Sequence, residues 1–123
     1  MAHDAAASAT AITTTQGVLV VTMQPDMSSG QFESMRQTVL GRITRNSLKA
    51  LVLDFSATDV MNLVEFNRVR KFLASVRLLG AETAIVSLSV GVVLYLADVE
   101  ADTDGIDCYF GLDEAIRKLG KGI

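Results

Sequence analysis

The sequence predicts a single α/β domain built on a mostly parallel sheet of four to five strands, with about four helices. Strand-like and helix-like segments alternate in the order β-β-α-β-α-β-α-β-α, which is typical of parallel strands joined by right-handed crossovers. The run "LKALVLDF" (48–55) is continuously apolar and ends in an acid, as in a central strand covered on both faces. At 123 residues, half of them hydrophobic, the chain is long enough to bury a core without disulfides.

The first two elements are predicted as a hairpin followed by a helix. The segment "AITTTQGVLVVTMQ" (11–24) is rich in β-branched residues, and Gln16-Gly17 provides a turn. Segment 28–47 carries apolar residues at spacings of three and four, which predicts an amphipathic helix that Ser28 or Ser29 can cap. The residues expected on its buried face are Phe32, Met35, Val39 and Ile43.

A second helix is predicted to begin after Asn62. Glu65 follows three residues later, so the two side chains can form a capping box. Gly80 is expected to end the helix. The residues predicted for its core face are Val69, Phe72, Val76 and Leu79.

The remaining chain predicts two more strands and two more helices. Segment 81–88 is a strand, Ser89 caps a third helix over 90–101, and 106–110 is a short strand. The final helix, 111–120, has acids in its first turn and bases in its last, which matches the helix macrodipole.

Composition and residue types argue against several function classes. The net charge of −3 does not favour nucleic acid, and the longest apolar run is too short for membrane insertion. Cys108 is the single cysteine, and it is predicted to be an inert thiol in the core. A single cysteine also fits a cytoplasmic protein. His3, the single histidine, lies in residues 1–10, which are predicted to form a flexible tail. No nucleophile stands beside a base, no glycine-rich phosphate loop follows a strand, and "DTDGID" (102–107) lacks the spacing of a calcium loop. We therefore expect no enzymatic activity, no metal site and no cofactor.

The chain resembles a STAS domain (sulphate transporter and anti-sigma factor antagonist) over roughly residues 10–120. The resemblance rests on the element order, on "LVLDFSATDVMN" before the second helix and on "YFGLDEAIRKLG" at the end. The stretch "VLVVTMQPDMSSGQFESMRQTVLGRI" is more similar to the RsbS-like stressosome scaffold branch than to the sporulation antagonist branch. The resemblance implies a single STAS domain over 11–120 that is not an enzyme. It also implies partners, namely other STAS proteins, a serine kinase or an anti-sigma factor, in a homo- or hetero-oligomer.

In the STAS family the switch is phosphorylation of a Ser or Thr at the start of the second helix, usually within an Asp-Ser pair. The matching positions here are Asn62 and Leu63, and leucine has no hydroxyl, so the resemblance implies an acceptor position that cannot be phosphorylated. Leu63 then either contributes an apolar contact surface or packs down onto the core. Ser56 or Thr58 could replace the lost acceptor, although such loop hydroxyls commonly bond their own backbone. The predicted switch loop comprises Asp54, Ser56, Thr58, Asp59 and Asn62.

The third helix, "SVGVVLYLADV", is nearly all apolar, so it should expose Val, Leu or Tyr unless it is fully buried between the sheet and its neighbours. Leu63, Phe66 and Val93 together form the candidate interface. The leading hypothesis is a STAS scaffold or anti-sigma factor antagonist in bacterial stress-response regulation. The alternatives are a cytoplasmic STAS subunit of a lipid or anion transporter, and a nucleotide-sensing STAS domain.

Overall fold

The computed structural model describes residues 11–120, so the tail predicted at 1–10 lies outside the described residues. Five strands and four helices alternate along the chain. The strands are β1 (Ala11–Thr15), β2 (Val18–Thr22), β3 (Ala50–Asp54), β4 (Glu82–Val86) and β5 (Cys108–Tyr109). The helices are α1 (Ser29–Asn46), α2 (Leu63–Leu78), α3 (Val90–Asp98) and α4 (Leu112–Leu119).

The five strands form one sheet in the order β1-β2-β3-β4-β5, which is also their order along the chain. β1 is antiparallel to β2, and every other neighbouring pair is parallel, which confirms the predicted sheet. Gln16 (φ 53°) and Gly17 (φ 78°) both adopt the left-handed conformation that a two-residue hairpin turn needs. The predicted hairpin is therefore confirmed.

The two faces of the sheet are covered unequally. α1, α2 and α3 pack together on one face, where they bury the larger hydrophobic cluster over Leu19, Leu51 and Ile85. On the other face α4 packs through Ala115 and Leu119 against small side chains of the sheet. The β3 residues 50–53 are at most 1% exposed, so this strand is covered on both sides as predicted.

α1 begins and buries its apolar face as the sequence predicts. The Ser28 hydroxyl accepts a hydrogen bond from the Gln31 N–H (3.1 Å), and the Gln31 side chain accepts one from the Ser28 N–H (2.8 Å). Two N–H groups at the start of the helix are thereby satisfied. The predicted core face is confirmed, with Phe32, Met35, Val39 and Ile43 all buried.

The end of α2 differs from the prediction. α2 ends at Leu78, and Leu79 is 48% exposed rather than part of the core face. Leu79 is the C-cap residue, beyond the last buried position of the helix at Val76, and Gly80 follows with φ +93° and ends the helix as predicted. The buried face consists of Phe66, Val69, Phe72, Leu73 and Val76.

β5 is shorter than the predicted strand over 106–110 and contains only Cys108 and Tyr109. Cys108 is exposed, so the prediction of a core thiol is wrong, because β5 lies at the edge of the sheet and leaves this side chain only partly covered. Partial desolvation, followed by the nearby carboxylate of Asp107, raises the pKa of the Cys108 thiol. The thiol is therefore protonated at neutral pH, which makes it a poor nucleophile.

Residues 11–120 contain neither a membrane-spanning helix nor a cluster of metal-ligating side chains. None of their helices is both long enough and apolar enough to cross a bilayer. None of their His, Cys, Asp and Glu side chains form a group of three placed to hold a metal ion. In the acidic loop, Asp102 accepts a hydrogen bond from the Asp104 N–H (3.0 Å) and pairs with Arg70 (3.6 Å).

Candidate functional site

The switch loop, residues 54–62, joins β3 to α2 and is held by short local hydrogen bonds. The Asp54 carboxylate accepts one from the Ser56 N–H (2.9 Å), and the Phe55 carbonyl accepts one from the Thr58 N–H (3.0 Å). The Phe55 N–H donates in turn to the Val86 carbonyl on β4 (3.0 Å). Asp54 therefore orients the loop, in the manner of a side chain that closes a turn onto its own backbone.

Asn62 and Glu65 form the predicted capping box at the start of α2. The Asn62 side-chain oxygen accepts a hydrogen bond from the Glu65 N–H (2.8 Å). The Glu65 carboxylate accepts one from the Asn62 N–H (3.0 Å). The box satisfies two backbone donors at a helix start and places a negative charge where the macrodipole favours it.

Leu63 follows the cap, and its backbone links α2 to α3. The Leu63 N–H donates to the Tyr95 hydroxyl oxygen at 3.1 Å, a contact between residues 32 positions apart. The first N–H groups of a helix have no intrahelical partner and commonly bind anions. Here one of them binds a phenol from the neighbouring helix, so the start of α2 and the middle of α3 lie side by side.

The two hydroxyls proposed as substitute acceptors lie in different environments. Ser56 is exposed, as is Asp59. Thr58 is only 7% exposed, and its hydroxyl oxygen has no hydrogen-bond partner among the described residues. A kinase cannot reach a hydroxyl at this depth, so Thr58 is excluded as an acceptor in this conformation and Ser56 is the accessible one.

A small cavity lies beside the switch loop, between it and the β2–α1 connection. It has a volume of about 40 Å³, and its lining includes Met23, Met27, Met61, Thr58 and Arg68. That volume is far less than the 300–1,000 Å³ typical of small-molecule pockets. The cavity could not accommodate a nucleotide without rearrangement.

α3 has one buried face and one exposed apolar face, which confirms the predicted exposure and contradicts full burial. Val92 and Leu96 are buried, four positions apart. On the opposite side Val90 is 75% exposed, Val93 47% and Leu94 59%.

Val60 and Val64, on either side of the α2 cap, are also exposed, while Leu63 is half-buried. We call these residues the α2–α3 surface: Val60, Leu63, Val64, Val90, Val93 and Leu94.

Phe66 does not belong to this surface. It is 2% exposed and packs in the main hydrophobic cluster, so its inclusion in the candidate interface is corrected. Phe66 precedes Val69 by three positions and therefore shares its buried side of the helix. The same spacing in the sequence could have assigned it to the core.

Comparisons with known proteins give structural likeness only. No family model and no curated protein matches the sequence. A serine-to-glutamate variant of RsbS from Moorella thermoacetica superposes with a TM-score of 0.73 at 22% identity, covering 89% of this chain and 93% of that one. A chain of the stressosome, described as a signal integration and transduction hub, has a TM-score of 0.72 at 24% identity, covering 89% and 95%.

A third similar structure is the anti-sigma factor antagonist SpoIIAA in its unphosphorylated form. Its TM-score is 0.66 at 12% identity, and the match covers 93% of this chain and 99% of that one. The chain has the STAS fold. The resemblance found in the sequence is therefore confirmed at the level of the fold, and the described residues 11–120 supply all five strands and four helices of it.

Sequence reasoning missed Val60 and Val64 as members of the exposed surface. Val60 is 82% exposed and Val64 is 77% exposed. For Val64 the signal is that it does not fit the spacing of three and four that defines the buried face of α2. Val60 precedes the helix, so helical spacing gives no signal for it, and its neighbour Met61 is buried.

Proposed function

We propose that this STAS domain is a non-catalytic signalling module that acts by protein–protein contact. It serves as a stressosome-type scaffold or anti-sigma factor antagonist in bacterial stress-response regulation. Its partners are other STAS-domain proteins together with a serine kinase or anti-sigma factor. The observation that carries the proposal is the α2–α3 surface, where exposed apolar side chains lie at the start of α2 and on the neighbouring α3. The fold shared with RsbS, a stressosome chain and SpoIIAA supports it.

We also propose that the acceptor position at the start of α2 is permanently unphosphorylated. Leu63 has no hydroxyl, and its N–H already donates to Tyr95. In a switch of this kind a phosphoryl group adds a charge of about −1.5 to −2 beside free N–H groups at a helix start. With leucine at this position that charge cannot arise, so regulation comes from modification of the partner or from Ser56.

The α2–α3 surface is suited to a partner with an apolar face. α3 carries no charged side chain before Asp98, so its exposed side offers no ion pair to an approaching protein. Full burial of a Val or Leu side chain contributes about 1.5–3 kcal/mol. The exposed side chains, Val90 and Leu94 among them, therefore supply part of the free energy that a specific contact needs to offset an association cost of about 4–15 kcal/mol.

The test is copurification of the tagged protein from its native cells, comparing wild type with Val93→Asp. We expect wild type to retain an identified STAS protein and a serine kinase or anti-sigma factor, and Val93→Asp to lose them. The matched control is Leu78→Asp, since Leu78 is 88% exposed at the far end of α2 and outside this surface. Circular dichroism and thermal unfolding establish that both variants fold.

Three results would contradict the proposal. The first is a folded Val93→Asp protein that keeps the same partners, and the second is a Leu78→Asp protein that loses them equally. The third is retention of a transporter ATPase in place of the kinase or anti-sigma factor, which would support the transporter-subunit alternative. Thermal shift with GTP and ATP checks the nucleotide-sensing alternative, because a bound nucleotide raises the melting temperature by mass action.

A further inference from the structure

β1 forms one edge of the sheet and presents a free backbone edge. Within residues 11–120 it pairs only with β2. Four of its five residues, "AITTT", are β-branched, and none is charged or proline. Natural proteins usually protect sheet edges with charges, prolines, bulges or very short strands. The opposite edge follows that rule, because β5 has two residues and comes directly after Asp107. β1 does not follow it.

The hairpin determines which backbone groups of β1 are free. A two-residue turn makes Thr15 and Val18 a hydrogen-bonded pair, and in an antiparallel ladder such pairs alternate with non-hydrogen-bonded ones. Thr13 and Ala11 therefore also bond to β2. The N–H and C=O groups of Ile12 and Thr14 point away from β2 instead. The free edge thus offers two donors and two acceptors.

We propose that β1 pairs with β1 of a second copy, antiparallel, about a two-fold axis that passes beside Thr13. In this register Ile12 of each copy lies opposite the partner's Thr14, so both donors and both acceptors of each edge are satisfied. Thr13 faces the partner's Thr13 as a non-hydrogen-bonded pair. The two five-stranded sheets become one continuous sheet, and the contact is the same patch on both copies, as in a closed symmetric dimer.

The sequence of β1 fits a second copy of itself. A strand without charges can pair with itself without placing like charges opposite each other, and Thr–Thr pairs across strands are favourable. Because Thr13 is the central residue, centring the axis there pairs every residue from Ala11 to Thr15. A register shifted by two residues would leave part of the edge unpaired. The inference goes beyond the proposed function and uses neither the α2–α3 surface nor the switch loop.

A cysteine placed at the axis tests the register directly. In the full chain carrying Cys108→Ser, Thr13→Cys brings two cysteines together in a non-hydrogen-bonded pair with Cα atoms about 4.5 Å apart, within disulfide range. The matched control is Thr14→Cys in the same background, where the two cysteines lie on a diagonal, about 8 Å apart. Under mild oxidation we expect a disulfide-linked dimer from Thr13→Cys and none from Thr14→Cys. Equal cross-linking of both variants would overturn the register.

A second measurement addresses the dimer itself. Light-scattering mass should show a dimer for wild type and a monomer for Thr14→Pro. That proline removes an outward N–H and leaves the β1–β2 bonds intact, as edge strands allow. Circular dichroism confirms that the variant folds. The proposal is wrong if wild type is a monomer or if the dimer survives Thr14→Pro. A monomer in which the Ile12 and Thr14 amides resist hydrogen exchange would show that another part of the same chain covers the edge.

Discussion

Replacing Asn62 by alanine removes one of the two hydrogen bonds that start α2. The lost bond is the one from the Glu65 N–H to the Asn62 side chain, 2.8 Å long. The reciprocal bond survives, because the Glu65 carboxylate binds the backbone N–H of residue 62. Loss of an N-cap side chain typically costs about 1 kcal/mol. We expect a cost near that value, since the cap lies at the surface and water replaces only part of the interaction.

This cost corresponds to a measurable shift in the melting temperature. For a domain of about 110 residues, 1 kcal/mol lowers Tm by about 4 °C. Asn62→Gly should be milder than Asn62→Ala, because glycine at an N-cap costs only a few tenths of a kcal/mol. Asn62→Asp should be at least as stable as wild type, because the carboxylate keeps the bond and adds a favourable charge at the helix start.

Urea unfolding at neutral pH measures the free-energy differences, and calorimetry measures Tm. Ser28→Ala provides a matched control, since Ser28 caps α1 with the same pair of bonds and is not part of the switch loop. Both alanine variants should lose similar stability. If Asn62→Ala unfolds like wild type, or if the glycine variant is less stable than the alanine variant, the capping argument fails.

Two other predictions concern the core and the surface. Phe66→Ala should lower the free energy of unfolding by about 3–5 kcal/mol, because Phe66 is buried in the core. Val64 is 77% exposed, so Val64→Ala should change that free energy by no more than about 0.5 kcal/mol. Similar losses for the two variants in urea unfolding would contradict this assignment. Hydrogen bonds from Arg36, and to a smaller extent from Gln37, lower the pKa of Glu33 to about 2. The ionised carboxylate therefore stabilises the folded protein at pH values above the pKa that Glu33 has in the unfolded chain. This stabilisation is lost as the pH falls toward 2. Arg36→Ala should raise the pKa of Glu33 in the folded protein toward 4.5 in an NMR titration, and an unchanged titration would rule out the Arg36 hydrogen bond as the cause of the lowered pKa.

Local patterns in the sequence predicted most of the fold. The apolar run at residues 48–55 correctly predicted the buried strand β3, because a central strand needs apolar side chains on both faces. The spacing of Asn62 and Glu65 correctly predicted the start of α2, because a capping box forms between residues three positions apart. In both cases the physical cause lies within a few residues, where a single sequence is informative.

The errors arose where the cause is tertiary. Cys108 lies in an apolar stretch, yet its strand is at a sheet edge, and edge position depends on the order of all five strands. In the sequence Thr58 has the features of an ordinary exposed loop residue. In the structure it lies beside Met23 and Met61 and is buried. Leu79 continues the helical spacing, but it is the C-cap residue and lies beyond Val76, the last position of α2 that the core covers.

The strand order has a consequence for how the chain folds during synthesis. Because spatial order equals chain order, each new strand adds beside one that has already left the ribosome, and no strand has to wait for a later neighbour. The face under α4 is the exception. Val18 and Val52 stay largely uncovered until residues 112–119 emerge, since α4 is the helix of the described residues that packs over them. A nascent chain that stalls before α4 therefore carries a finished sheet with one apolar face open to chaperones.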